Sequence, residues 1–435
     1  MRRPLFRRLI GLIGVSLFCE ISYAMVTAFA LPFYLHDSLG WLEKQVGPVL
    51  SAFLLAETVA KPGWAVLSDR FGRKPLILIG IIISAVAVIS MTGATSPWVV
   101  AALGPTASSL SSALAWLIRV AHLPLAAPSI PASHLAFIGL SALNGVGGAA
   151  LWPNVFASVA DVTTDEERVG SMSVFNMIYM IGLGGGIPLG SLIMRITDTA
   201  SRIFIVTTGI FGVALLCAAF LIPWLHGHSA HEKGKPDPEH RVILSVLLFF
   251  MAMSFFQTLG LQLMNPSLMY YMNQELKLDP KHIGAPFIAL GIVVACLAIP
   301  VGTWGGRWGR VKSVRLGLVL ASAGMLLLPM KPHIGWWLLV TIPMIIGFLL
   351  SIPAWLAILT DLAPLAWRGR IYGYVATAQG LGAVMGPSLG TWLYGDKGHG
   401  APFHVSGIIL GLTLLASFFG LKEGMKAVKE VGVRG

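Results

Sequence analysis

Long apolar runs separated by short polar segments set the pattern of this 435-residue chain. The runs are about 20 residues long and contain few charges, which is typical of helices that cross a lipid bilayer. Twelve such spans are predicted, near residues 9–35, 46–67, 75–95, 134–160, 169–195, 203–225, 242–272, 282–303, 314–330, 335–360, 369–394 and 403–420. The first run is too long for a cleavable signal and lacks a clear cleavage site, so we expect it to be retained as a helix.

One long polar stretch, residues 227–241, interrupts the apolar pattern near the middle of the chain. It leaves one set of predicted spans in residues 1–226 and another in residues 242–435. Its histidines are irregularly spaced in a polar context, which favours a solvated cytoplasmic linker over a metal site. We therefore predict an all-α integral membrane protein of two six-helix bundles joined by this linker. With 56% hydrophobic residues, the composition excludes an ordinary soluble domain.

The two halves share an internal repeat, as expected for two related bundles. Several landmarks recur 200 residues later: Pro153 as Pro353, Asp161 as Asp361, Arg168 as Arg368, Gly186 as Gly386 and Gly190 as Gly390. The repeat predicts that the two bundles are pseudo-symmetric.

A dense charged turn, Ser68-Asp69-Arg70-Phe71-Gly72-Arg73-Lys74, lies between the second and third spans. Gly72 permits a sharp turn, and we expect Asp69 to meet unpaired N–H groups at a helix terminus. The stretch resembles the signature loop between helices 2 and 3 of the major facilitator superfamily, which Leu67, Asp69, Arg70, Gly72, Arg73 and Lys74 match. A second, degraded copy follows at Gly302-Thr303-Trp304-Gly305-Gly306-Arg307-Trp308-Gly309-Arg310.

The resemblance implies a transporter of twelve helices whose cytoplasmic charges form a gate that opens and closes in each cycle. Exposed ion pairs suit this role, because each contributes under about 1 kcal/mol and breaks readily. The predicted gate residues are Asp69, Arg70, Gly72, Arg73, Asp161 and Arg168 in the first half and Arg307, Arg310, Asp361 and Arg368 in the second. Gly306 cannot play the part of the acid in the second copy, so Arg307 and Arg310 are expected to pair with Asp361.

The first half is longer than the second between its third and fourth spans, over about residues 96–131. Residues 107–125 are apolar enough for a helix, but they include Arg119 and His122, and Pro105 and Pro124 favour boundaries at the two ends. A further span here would place Asp161 on the wrong side of the membrane. We expect an extra outer-face segment, either an interfacial or re-entrant hairpin or a flexible loop.

The net charge of +11 is unevenly distributed along the chain. Most of the 30 lysine and arginine residues lie in segments that are cytoplasmic if both termini are inside, as positive-inside orientation requires. The sequence thus predicts a multi-pass plasma membrane protein of the bacterial inner-membrane type with both termini cytoplasmic. Nucleic acid is not needed to explain the charge. The three cysteines lie within spans and are expected to be packing residues.

Two acids, Glu20 and Glu57, lie deep within predicted spans. Each is roughly 17 Å from the cytoplasmic end, near the midplane of a ~30 Å hydrocarbon core. An ionisable group at that depth is a candidate functional group, because a carboxyl in a low-dielectric cavity can bind and release a proton near neutral pH. We expect Glu20 to be the main proton- or cation-recognising group, with Glu57 and Lys61 modulating it. Alternatively, Glu57 and Lys61 form only a structural pair one helical turn apart.

Uncharged polar residues in the spans complete the predicted cavity. They are Tyr23, Asn144, Asn176, Tyr179, Gln257 and Gln262. Such groups among Phe, Met and Trp suit an amphipathic, mainly apolar substrate with few fixed contacts. The alternative for each residue is a hydrogen bond between helices.

The eleventh span contains Gly382-Ala383-Val384-Met385-Gly386-Pro387-Ser388-Leu389-Gly390. This run is similar to a motif of the superfamily's antiporters, although that motif belongs to the fifth helix. Small residues at this spacing let helix backbones approach closely, so Gly382, Gly386, Pro387 and Gly390 are predicted helix-packing residues.

The leading functional hypothesis is a secondary active transporter that works by alternating access, with proton-coupled efflux of amphipathic or lipophilic small molecules. Alternatives are a carrier of the same family for a lipid or lysolipid, a sugar or a metabolite, in uptake or facilitated transport, and a non-transporting membrane sensor. Beyond the two acids Glu20 and Glu57, the spans contain no cluster of His, Asp or Glu at one depth and no nucleophile with a base, so an enzyme is not expected. A P-loop motif is also missing, which disfavours ATP-driven pumping. The expected partners are a small-molecule substrate, protons and membrane lipid, with no cofactor or metal, and the protein is expected to be a monomer.

Overall fold

The computed structural model describes residues 3–120, 130–163, 165–222, 240–242, 244–361, 365–421 and 428–430. The helices are α1 (Arg3–Ala24), α2 (Leu31–Phe33), α3 (Glu43–Phe71), α4 (Arg73–Met91), α5 (Pro97–Val120), α6 (Ala132–Val162), α7 (Asp165–Thr197), α8 (Ser201–Leu221), α9 (Leu244–Gln274), α10 (Gly284–Trp308), α11 (Arg310–Leu327), α12 (Ile334–Asp361), α13 (Leu365–Lys397) and α14 (Ala401–Gly420). A short 3-10 turn, Leu328–Met330, extends α11. Two short strands, β1 (His240–Val242) and β2 (Val428–Glu430), pair antiparallel.

The helices overlie the twelve predicted spans. In the part of the chain that the structure describes, 10 helices are long and apolar enough to cross a membrane. The other two predicted spans correspond to α10, which contains a shorter apolar stretch at Gly284–Ala298, and to α13. The prediction of an all-α multi-pass membrane fold is confirmed.

The first span is not a regular α-helix throughout. After α1, the chain forms a π-helical turn at Met25–Ala30, the short α2, and a second π-helical turn at Tyr34–Ser38. The apolar pattern gives no signal for these turns, because a π-helical turn uses the same residue types as the α-helix around it.

The chain divides into two compact units. Unit 1 comprises Met1–Trp41, Pro48–Gly186 and Ile193–Gly227. Unit 2 comprises Leu42–Gly47, Ile187–Leu192 and His228–Gly435. Most of the linker predicted at 227–241 lies outside the described residues, so the predicted domain boundaries stay a prediction.

In unit 1, α1 packs against α8, and α4 packs against α6 and α8. The packed face of α1 includes Leu12, Val15 and Cys19, which are all fully buried and recur at helical spacing. On α8, Phe211 is buried whereas Phe220 is 79% exposed. A helix with one buried face and one exposed apolar face is typical of a span between protein and lipid.

In unit 2, α9 packs against α13 and α14, while α11 packs against α12 and α14. The predicted small-residue stripe of α13 faces α9. A side chain at Gly382 would lie 2.5 Å from the carbonyl oxygen of Phe255, and side chains at Gly386 and Gly390 would overlap α9. The backbones of α9 and α13 therefore approach too closely for any residue larger than glycine at these positions.

Of the inserted segment, residues 97–120 are described and residues 121–129 are not, so the predicted hairpin stays a prediction. The described part is not a loop. It forms one helix, α5, through Pro105. A proline in a helix removes one backbone hydrogen bond. The serines of α5 donate hydrogen bonds to backbone carbonyls one turn earlier; for example, Ser109 Oγ donates to the Pro105 carbonyl oxygen at 2.8 Å. These bonds satisfy the serine hydroxyls within α5, so the serines do not interrupt the helix.

The helix α5 packs against α6, but it is not a further crossing of the membrane. Near the middle of α5, Ser111 Oγ accepts a hydrogen bond of 3.0 Å from the N–H of Ile130, just before α6 begins. At the other end of α6, Asp161 forms an ion pair of 3.4 Å with Arg73 at the start of α4. The start of α4 and the end of α6 therefore lie at the same end of unit 1, as an even number of crossings requires.

Candidate functional site

Glu20 lies on α1 and is 4% exposed. A side chain at Gly182 of α7 would come within 2.7 Å of Glu20 Cβ, so α7 approaches α1 closely at the acid. Tyr179, almost one turn before Gly182, is hydrogen-bonded to the Glu20 side chain. The structure thus pairs Glu20 with a hydroxyl from the neighbouring helix.

Glu57 on α3 forms the predicted pair with Lys61, at 2.8 Å between Oε1 and Nζ. The Glu57 side chain is 16% exposed and that of Lys61 44%. A side chain at Gly148 of α6 would lie 3.8 Å from Glu57 Cγ and 3.6 Å from the Tyr23 hydroxyl. Glu57 also lies close enough to Glu20 to interact with it electrostatically. Helices α1, α3, α6 and α7 therefore bring both acids and two tyrosines into one site, which we call the acid site.

Aromatic rings surround the acid site. The Tyr23 ring lies 5.8 Å from that of Phe53, 6.2 Å from that of Trp152 and 5.3 Å from that of Phe211. Trp152 in turn meets Tyr179 edge-on at 5.0 Å. Sequence reasoning missed Phe53, Trp152 and Phe211, because aromatic residues are common in apolar spans and their spacing alone does not separate a site from a core.

Two further polar residues extend the site. The Tyr23 hydroxyl lies 2.6 Å from Ser84 Oγ on α4, and Ser84 Oγ lies 3.4 Å from the carbonyl oxygen of Asn144 on α6. Asn144 is 1% exposed and Ser84 is fully buried. Ser84 is another residue that sequence reasoning missed, since a single serine in a span usually bonds within its own helix.

The remaining predicted cavity residues are Gln257, Gln262 and Asn176. Gln257 and Gln262 lie half-buried on α9 of unit 2. There, Asn265 donates a hydrogen bond of 3.1 Å to the Gln262 side chain. The side chain of Asn176 lies outside the described residues.

The charged turn joins α3 to α4 through Gly72, which has a φ of 86°. Its counterpart Gly309 joins α10 to α11 with a φ of 105°. Both values lie in the region that favours glycine, so both copies of the signature form the same sharp turn. Asp69 lies in the last turn of α3 and is exposed. The expectation that it meets N–H groups there is wrong, because the unpaired groups at that end of a helix are carbonyls.

Arg73 is the centre of a polar network at the charged turn. It contacts Asp161 and donates a hydrogen bond of 2.6 Å to Ser68 Oγ. Ser68 Oγ donates in turn to Asn154 Oδ1. Asp69, Arg70 and Arg310 are exposed. The predicted partners whose side chains lie outside the described residues are Arg168, Arg307, Asp361 and Arg368.

A cation caps the last helix of each unit. Lys74 Nζ donates to the carbonyls of Ala219 and Ile222 at the end of α8, both at 2.7 Å. Arg315 does the same for α14, donating to carbonyls of its last turn and just beyond it at 2.9 and 3.1 Å. Carbonyls at the C-terminal end of a helix have no partner within it and favour a positive charge. These matched caps are a second structural sign of the internal repeat.

Comparison with known proteins agrees with this architecture. The family model described as Major Facilitator Superfamily matches residues 13–129, 103–256 and 250–432. The chain is 24% identical to "Multidrug resistance protein 2" of Bacillus subtilis (strain 168), over 85% of this chain and 86% of that protein. It is 21% identical to "Tetracycline resistance protein, class C" of Escherichia coli, over 80% of this chain and 79% of that protein.

Solved structures show the same fold. The inward-open xylose transporter XylE from E. coli matches with a TM-score of 0.70 and 13% identity, over 95% of this chain and 96% of that chain. Because the family model covers almost the whole sequence in both halves, the chain belongs to the major facilitator superfamily and is a membrane transporter.

Proposed function

We propose that the protein is a proton-coupled antiporter that exports amphipathic or lipophilic small molecules. The observation that carries this proposal is the acid site, where Glu20 and Glu57 come from different helices and meet in the buried part of unit 1. A buried acid within the membrane is expensive to maintain, so it is expected to have a function.

The two acids have different partners, which gives them different roles. Lys61 neutralises Glu57 at 2.8 Å. Among the described residues, Glu20 has no basic partner and is held by the Tyr179 hydroxyl. We assign proton exchange to Glu20, because a carboxyl without a fixed cation can be neutralised either by a proton or by a substrate. Glu57 and Lys61 adjust the local charge.

Protons and substrate compete for Glu20, and this competition couples proton movement to substrate movement. When the site is open to one side, a proton on Glu20 displaces a bound substrate. When the site is open to the other side, loss of the proton restores a carboxylate that favours a positively charged or polar group. Alternating access then converts an inward proton gradient into outward substrate movement.

The aromatic rings around the acids favour an amphipathic substrate. Tyr23, Phe53, Trp152 and Tyr179 offer ring faces and edges near the carboxylates. Such rings bind apolar surface and attract cations. The names of two relatives, a multidrug resistance protein and a tetracycline resistance protein, support the same substrate class and the export direction.

We place the charged turn on the cytoplasmic side and assign it the gate. The Arg73–Asp161 pair is partly exposed, with side-chain exposures of 18% and 26%. A pair of this kind contributes about 1 kcal/mol or less and can break in each cycle. The excess of Lys and Arg at this end supports an orientation with both termini cytoplasmic, and the bacterial relatives support a location of the bacterial inner-membrane type. We propose that a monomer carries out the cycle, with surrounding lipid as its solvent.

The test is substrate-induced proton movement in proteoliposomes. Wild-type protein, Glu20→Gln and Glu57→Gln are reconstituted with an internal pH dye, and lipophilic cations and neutral amphiphiles are added. We expect at least one compound to trigger proton flux in wild type, Glu20→Gln to abolish it, and Glu57→Gln to reduce it. Compounds that cross without proton flux in wild type would contradict the proposal.

A further inference from the structure

Helix α6 buries polar side-chain atoms that have no hydrogen-bond partner among the described residues. Neither amide atom of Asn144 has a hydrogen-bond partner in the described part of the chain, and the same holds for Ser141 Oγ. Asn144 is 1% exposed and Ser141 is fully buried. A polar group left unsatisfied in a membrane interior costs several kcal/mol. These atoms therefore call for a ligand that can both donate and accept hydrogen bonds.

The two residues share the face of α6 that meets the acid site. Ser141, Asn144 and Gly148 recur at the i, i+3 and i+7 spacing of one helix face. A side chain at Gly148 would lie 3.6 Å from the Tyr23 hydroxyl and 3.8 Å from Glu57 Cγ. The hydroxyl of Ser84 lies against the same stretch of α6, 3.4 Å from the Asn144 carbonyl oxygen.

Along α6, these residues lie progressively further from the charged turn. The Arg73–Asp161 pair fixes the charged turn at the far end of α6. Asn144 lies four residues from Gly148 towards the opposite end, about 6 Å along the axis, and Ser141 lies roughly 4.5 Å further. The unpaired polar atoms thus continue a line that begins at the acids and leads away from the charged turn.

We propose that Ser84, Ser141 and Asn144 bind a short chain of water molecules that carries protons between the acid site and the membrane face opposite the charged turn. This inference rests on the proposed proton-coupled function. An Asn amide offers two donors and two acceptor lone pairs, and a buried water makes about three hydrogen bonds. The Asn144 amide and the hydroxyls of Ser141 and Ser84 together supply at least that number of donors and acceptors along α6.

The Tyr23–Ser84 pair links this water to the acids. Their oxygens are 2.6 Å apart, and either can donate. A hydroxyl can accept a proton from a water on one side and release its own proton on the other. One proton then reaches the carboxylate of Glu20 or Glu57 while each hydroxyl keeps its composition, so the step is balanced and needs no other reactant.

The first test compares substrate-driven proton flux in variants of α6. Asn144→Leu keeps the volume but removes the amide, and should slow the flux about tenfold, as expected for the loss of hydrogen bonds to a mobile proton. Asn144→Ser leaves a hydroxyl and room for water, and should keep most of the flux. The control is Ser158→Ala, because Ser158 Oγ already donates to the Asn154 carbonyl at 2.7 Å. It should behave as wild type.

Substrate binding, measured by tryptophan fluorescence, separates this inference from the proposed function. Tight binding with slow proton flux in Asn144→Leu supports a water route. Wild-type flux in a folded Asn144→Leu protein overturns it. If wild type itself shows no substrate-driven flux, the proposed function fails, and the water site is then judged by an experimental structure in lipid nanodiscs. Water density within hydrogen-bond distance of the Asn144 side-chain amide supports the water site. A protein group in that place overturns it.

Discussion

Replacing Lys74 by methionine should destabilise unit 1 by removing the cap from α8. Lys74 is 6% exposed, and its ammonium group donates to two carbonyls at 2.7 Å. Methionine has a similar length and keeps the apolar contacts of the lysine stem. The change therefore removes the charge and both hydrogen bonds while altering the packing little.

The expected loss follows from these two bonds. A hydrogen bond to a charged group contributes about 1.5–3 kcal/mol. Part of this loss is offset, because burying methionine avoids the free-energy cost of taking the lysine charge out of water. A net loss of about 2–4 kcal/mol remains. For a unit of this size, each kcal/mol lowers the unfolding temperature by roughly 2–4 °C, so the Tm should fall by roughly 4–16 °C.

The assay uses cysteines of the chain. Cys19 is buried and Cys217 is half-buried, whereas Cys296 is exposed. In a Cys296→Ser background, a thiol-reactive fluorogenic dye reports the unfolding of unit 1, which contains both remaining cysteines. Lys74→Arg keeps a cation in reach of the carbonyls and should melt close to wild type. A Tm for Lys74→Met within about 1 °C of wild type would refute the capping argument.

Three further outcomes are expected. Gly182→Ala should lower transport, because the added methyl group would lie 2.7 Å from Glu20 Cβ, whereas Gly184→Ala, with nothing within 4 Å, should not. Transport rates of the two variants check this. Gly390→Ala should lower the Tm of the protein by several degrees, because its methyl group would overlap α9, while Gly373→Ala on the same helix meets nothing within 4 Å and should be tolerated. Loss of the helical circular-dichroism signal on heating, which follows both units, distinguishes them, and equal Tm values would contradict the packing. Asp161→Asn breaks the pair at the charged turn and should change turnover more than stability, since a partly exposed pair contributes about 1 kcal/mol or less. Parallel flux and melting measurements test this, and a large fall in Tm with unchanged turnover would be the opposite result.

Sequence patterns predict the spans and the two turns because both rest on local physics. Apolar length fixes a span, and the charged signature with Gly72 and Gly309 fixes a turn that needs positive φ. Counting residues inward from one end of each of the first two spans is enough to predict that Glu20 and Glu57 lie at one depth in the membrane. Equal depth on neighbouring antiparallel helices is what allows the two acids to meet in space.

Other features depend on contacts that no single segment reveals. The cap of Lys74 requires α4 to lie beside the end of α8, and the hydroxyl of Ser84 becomes part of the acid site only because α4 packs on α6. Pro105 favours a helix boundary by its residue type alone, but α5 accommodates it. The π-helical turns after α1 use the same residue types as the α-helix around them, so the sequence pattern does not reveal them.

The central claim is that Glu20 couples proton movement to substrate export, and gradient-driven accumulation tests it most directly. Proteoliposomes with the membrane potential clamped at zero by valinomycin and equal potassium are given a pH gradient and a radiolabelled lipophilic cation. The account predicts that wild type accumulates the cation on the acidic side, against its own gradient. Glu20→Gln carries no charge, like the protonated acid, so it should bind the cation more weakly and should not accumulate it. Accumulation by Glu20→Gln at the wild-type level would contradict the account, because the proton would then be carried elsewhere.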